Sequence, residues 1–214
     1  MQNPYSKSLL RTFVKVCLLA LFIALDFGAI FLDVGNISNT SFGENGYVEW
    51  FQEIQLFTAF LFLISALKKN KNLQPAIIFM AGCLAMAIIR EYNNFFIDYV
   101  FHGAWSVLVI IAGLTTLYFL YKQKNNILSS FHHFTQTTSY GIVLSGFFVT
   151  FIFSRFIGIP DFWHAVLDKN YVRDVERMME ESTELIGYTI IVFGCIDYAL
   201  MLRKAAADKK TIFN

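Results

Sequence analysis

Long apolar runs dominate this chain, and they recur at lengths that suit a bilayer. A helix rises about 1.5 Å per residue, so about 20 mostly apolar residues cross the hydrocarbon core. Six stretches meet that need: residues 13–32, 49–67, 75–92, 104–121, 139–157 and 183–202. Membrane β-barrels instead show short alternating segments. The pattern therefore predicts an all-α, polytopic integral membrane protein, a single bundle of six transmembrane helices spanning residues 1–214. Between the apolar runs, residues 33–48 are polar and rich in Gly and Asn, which predicts a loop. Residues 158–182 carry Pro160, Trp163 and a charged helix-like run. That segment is expected to lie along the outer interface, with its aromatics at headgroup level.

Composition agrees with the pattern. Of 214 residues, 56% are hydrophobic and 15% charged, against about 25% charged in soluble domains. Disorder requires low hydrophobicity. Nucleic-acid binding requires a basic surplus that a net charge of +1 does not supply. The expected partners are therefore the lipid bilayer and a lipid substrate, not nucleic acid.

The distribution of charge predicts the orientation. Lys7, Arg11 and Lys15 precede the first span, and Lys68, Lys69 and Lys71 follow the second. Lys122 and Lys124 follow the fourth, and Arg203, Lys204, Lys209 and Lys210 follow the sixth. All lie on alternate connections, so the positive-inside rule puts both termini in the cytoplasm. The first span has the basic start of a signal peptide, but its apolar run is longer and Asp26 interrupts it, so we expect it to be retained. The expected location is a bacterial inner (plasma) membrane. Cys17, Cys83 and Cys195 fall inside spans and form no redox or zinc pattern, which predicts packing roles. Asn36 and Asn39 match the glycosylation pattern, which carries no meaning in a bacterial chain.

The acids are placed less evenly than the bases. Of the 16 acidic residues, only Asp197 and Asp208 sit near the predicted cytoplasmic side. Many of the others lie within or at the ends of apolar spans, where a charge is costly and marks a functional site by default. Glu49, Gln52 and Glu53 share one helix face at the start of the second span. Glu91, Asn94, Asp98 and His102 fall on one stripe if the third helix continues, although the Asn93–Asn94 pair is a candidate break. Arg177, Glu181, Glu184 and Tyr188 share a face at the start of the sixth span, with Glu180 beside it. Thr150, Ser154 and Arg155 end the fifth span, and Asp26 lies in the first. Small residues at Ala81/Ala85 and Gly187/Gly194 predict close helix packing.

These groups predict one polar site at the outer side. Glu49, Glu53, Glu91, Asp98, His102, Glu181 and Glu184 are the expected acid/base or metal-binding groups. Glu53, Glu91, Asp98, His102 and Glu184 are the candidate ligands for a divalent cation, whether Zn, Mg, Mn or Ca. Arg90 and Arg155 have guanidinium forks suited to an anionic head group. Gln52, Asn94, Trp105 and Tyr188 complete the expected substrate-binding set. Motifs for zinc proteases, P-loops and dinucleotide sites are absent from the sequence. The reading is a membrane-embedded, metal-dependent hydrolase or transferase acting on a lipid or lipid-linked substrate. The alternatives are a cation- or proton-coupled transporter or channel, and a non-catalytic partner-binding protein.

Overall fold

The structure is a computed structural model that describes residues 4–36, 46–67 and 71–212. Among these residues it is all helical, with no strand. The helices are α1 (Pro4–Asn36), α2 (Tyr47–Leu67), α3 (Gln74–Glu91), α4 (Asn93–Tyr99), α5 (Ala104–Lys122), α6 (Ile127–Thr135), α7 (Thr138–Phe148), α8 (Ser154–Ile157), α9 (Pro160–Leu167) and α10 (Arg173–Ile212). Six helical segments among the described residues are long and apolar enough to cross a membrane: Ser8–Gly35, Tyr47–Leu67, Gln74–Glu91, Ala104–Lys122, Thr138–Ile157 and Arg173–Ala206. Each coincides with one of the six predicted spans.

Several boundaries differ from the sequence reading, each for a local reason. Helix α1 continues to Asn36, so Asp33 is helical and not the start of a loop. Helix α10 begins at Arg173, ten residues before the predicted span, because the charged run 173–182 is helical though not apolar. The expected stripe Glu91–Asn94–Asp98–His102 does not form. Helix α3 stops at Glu91, Tyr92 adopts a turn conformation (φ −77°, ψ 15°), and α4 is a separate helix. His102 then falls in the turn before Gly103, whose φ of 94° suits glycine and starts α5. The side chains of Lys7, Asn36, Lys71, Asp208, Lys209 and Lys210 lie outside the described residues, as do Asn39, Lys68 and Lys69 entirely.

The residues group into two compact units, Met1–Phe51 with Gly146–Ile190, and Gln52–Ser145 with Ile191–Asn214. In the first unit, Val48 and Leu185 are fully buried, with Ile30, Phe51 and Met178 packed against them. Asp33 fixes the start of α2. Its carboxylate accepts the Tyr47 N–H at 2.7 Å and the Val48 N–H at 2.8 Å, two donors that no helical carbonyl can satisfy. Gly46 makes room for it: a Cβ there would lie 2.5 Å from Asp33 Oδ2.

In the second unit α3 packs along α5, and Gly82 lets Thr116 approach; a Cβ at position 82 would sit 2.2 Å from Thr116 Oγ1. Helix α6 packs on α3, where the buried Ser130 hydroxyl accepts the Ala76 N–H at 3.0 Å. Gly194 meets Val143 closely, a Cβ there lying 2.6 Å from Val143 Cγ2. Tyr198 is fully buried, with Phe134 edge-on to it at 4.8 Å.

Candidate functional site

The most organised charged group of the first unit forms where the fifth apolar segment changes geometry. Between α7 and α8, residues Val149–Phe153 form a π-helical turn, with bonds reaching one residue further than in an α-helix. Thr150 sits in that turn, buried against Gly187 of α10. Its Oγ1 has no hydrogen-bond partner among the described residues. Ser154, one turn on and also buried, donates its hydroxyl to the Thr150 carbonyl at 2.5 Å.

Arg155 follows directly. Its Nη1 donates to Glu180 Oε1 at 2.5 Å, and its Nη2 is paired with Glu184 Oε1. Two carboxylates one turn apart on α10 thus share one guanidinium. Their exposures differ sharply. The Arg155 side chain is 49% exposed, whereas that of Glu184 is 4% exposed. A carboxylate buried that deeply among apolar residues requires a partner, and Arg155 supplies it. Gly158 permits the arrangement from the other side, because a Cβ there would lie 2.5 Å from the Glu180 carboxyl. Tyr188, one turn beyond Glu184, is buried. Glu181 and Glu49 are half-buried and Asp26 is fully buried, all in this unit.

The second unit holds the remaining predicted residues in a different arrangement. Arg90 pairs with its own neighbour in the chain. Its Nε and Nη2 bind the Glu91 carboxylate of the next residue, at 3.3 and 2.9 Å. Tyr92, in the turn that ends α3, hydrogen-bonds Glu53 of α2, with the Glu91 carboxylate nearby. Gln52 is buried, and its Nε2 has no partner among the described residues. Asn94, Asp98 and His102 are exposed, and Trp105 is half-buried. Elsewhere in this unit the buried Ser139 hydroxyl donates to Asp197 at 2.8 Å.

Among the described residues, no three His, Cys, Asp or Glu side chains come together as a metal-binding group. The ligand set Glu53, Glu91, Asp98, His102 and Glu184 is therefore not assembled there. Two of its members already have cationic partners, Glu91 with Arg90 and Glu184 with Arg155. The predicted packing glycines Gly187 and Gly194 do lie at close approaches. The sequence reading missed Asp33 as a cap, because its Gly- and Asn-rich surroundings read as loop. It also missed the π turn, because a run of Phe, Val, Thr and Ile carries no mark that separates π from α geometry. Comparison with protein-family models, with characterised proteins and with solved structures finds no match to this chain.

Proposed function

We propose that this is a multi-pass protein of a bacterial inner membrane, with both termini cytoplasmic, that acts enzymatically on a lipid or lipid-linked substrate. The site is the Arg155–Glu180–Glu184 group, set at the extracytoplasmic end of the fifth and sixth spans. The single observation that carries this reading is the asymmetry of that group: a buried carboxylate, Glu184, is held by a guanidinium that is half exposed.

The chemistry follows from that asymmetry. A phosphate or other anionic head group arriving from the leaflet competes with Glu180 and Glu184 for the fork of Arg155. As it binds, the guanidinium is drawn toward the head group and the Glu184 carboxylate gives up part of that ion pair. Glu184 then serves as the general base, and Glu180 keeps the guanidinium oriented. The paired carboxylates and arginine supply these roles from the chain itself. A divalent cation, which the sequence pattern suggested, gains no assembled ligand set among the described residues.

The test uses the purified protein in vesicles made from the total lipid extract of the expressing cells. Lipid composition is followed by mass spectrometry against a Glu184→Gln variant. Wild type is expected to deplete one lipid component and Glu184→Gln to leave it unchanged, with both proteins unfolding at similar temperatures. If no lipid component changes with wild type, the proposal fails.

A further inference from the structure

The short helix α9 has a sided surface that the charged site does not use. It follows α8 after only Gly158 and Ile159, and two residues span at most about 7 Å. Its start is therefore held near the end of the apolar segment Thr138–Ile157. Two further contacts fold it back there. The Trp163 indole N–H donates to the Ile157 carbonyl at 2.5 Å, and Gly158 rests against the Glu180 carboxyl.

With Trp163 so placed, one stripe is left uncovered. Phe162 and Val166 are one turn apart on the same face, with Ile159 at the helix start beside them, and all three are exposed. Asp161 and His164 are directed away from that stripe, to the polar side of the helix. The apolar stripe also continues a larger surface, since Phe153 and Phe156 on the preceding turns are 58% and 63% exposed. Large apolar side chains exposed in a row need a covering medium. Here the two-residue tether places the stripe beside the end of a membrane-length apolar segment.

From this juxtaposition we infer that α9 is an interfacial helix, and that its Ile159–Phe162–Val166 stripe inserts into the lipid leaflet at the α8 end. The occupant is the boundary between head groups and acyl chains, where a short helix with one apolar and one polar face is stable. Trp163 anchors the helix to the protein, because its N–H is already satisfied by Ile157. Phe162 and Val166 anchor it to the lipid. The inference does not depend on any reaction at Arg155.

The experiment places a nitroxide label at one position at a time in the full chain, in a Cys17→Ser, Cys83→Ser background. Phe162→Cys and Val166→Cys probe the stripe, and Asp161→Cys and His164→Cys probe the polar face. The protein is reconstituted in vesicles of phosphatidylcholine and phosphatidylglycerol. Labels at 162 and 166 are expected to be several-fold less accessible to a water-soluble nickel chelate than labels at 161 and 164, and more accessible to oxygen. Equal nickel access on both faces would overturn the inference. So would labels at 162 and 166 shielded from both nickel and oxygen, since that result means protein covers the stripe. The stripe is read at two positions so that the loss of either variant to misfolding leaves the other as the test.

Discussion

Replacing Gly187 by Ala is the sharpest test of how α10 meets the π turn. In an exposed helix this change stabilises by up to about 1 kcal/mol, because Gly is the poorer helix former. At position 187 the added methyl would lie 2.1 Å from Thr150 Oγ1 and 2.8 Å from Thr150 N, against ordinary contact at 3.4–4 Å. The hydroxyl can rotate away, but the backbone nitrogen cannot. The helices must therefore separate locally or distort, and overpacking of this kind costs about 1–3 kcal/mol. The second effect exceeds the first, so Gly187→Ala is expected to destabilise by about 1–2 kcal/mol. Gly28 is the internal control, because a Cβ there meets nothing within 4 Å. Gly28→Ala should leave stability unchanged or raise it. Thermal unfolding in detergent or nanodiscs reads both, with about 2–4 °C per kcal/mol for a chain of this size. Adding Thr150→Ala to Gly187→Ala removes the nearer clash and leaves the backbone one, so it should restore part of the loss. The reasoning is refuted if Gly187→Ala unfolds at or above the wild-type temperature.

Arg155→Gln should destabilise by several kcal/mol at most, because it removes the guanidinium paired with the buried Glu184 carboxylate. The fully buried case costs about 3–5 kcal/mol, and the half-exposed arginine lowers that figure. Arg155→Gln with Glu184→Gln should recover part of that stability in the same unfolding assay, since the buried charge is removed together with its cation. Asp33→Ala removes both bonds at the start of α2 and is expected to cost about 1–2 kcal/mol, whereas Gly46→Ala should reproduce only part of that loss by crowding the carboxylate. Tyr171 lies outside the apolar segments and donates its hydroxyl to Glu176, which pushes its pKa above the ordinary value of 10.0. A group whose folded pKa is raised stabilises the fold below its unfolded pKa, and that contribution is lost as pH rises through the folded pKa. The Tyr171 contribution is therefore present below pH 10, and Tyr171→Phe should flatten the alkaline fall in stability when unfolding is followed from pH 9 upward.

What the sequence disclosed divides along physical lines. Apolar length is a property of each segment alone, so all six membrane-length helices were legible. Ends were less so, because charged residues continue a helix without adding hydropathy, as at Arg173–Glu181, and polar residues such as Asp33 serve as caps inside what reads as loop. The break after Glu91 was foreseen one residue late, at Asn93–Asn94, while the turn falls on Tyr92. Of the charged groups, Arg155, Glu180 and Glu184 do meet. Their depth along two apolar segments suggested it, but the partner of each acid did not follow from depth. Arg90 shows why. Its nearest carboxylate is its own neighbour in sequence, an adjacency that spacing rules for helix faces set aside.

The π turn at Val149–Phe153 has a consequence for insertions and deletions. Such a turn amounts to one residue added to an α-helix, and each residue accounts for about 100° of rotation. Removing any one residue from 149–153 would restore a regular helix and leave every side chain unchanged in kind. The wider turn absorbs that rotation, so the flanking turns would keep their facing and Arg155 would still meet Glu180 and Glu184. The π turn is therefore the place in this segment where a frame-preserving loss of one codon would spare the charged group, whereas the same loss in the regular helix just before it would turn Arg155 by about 100°.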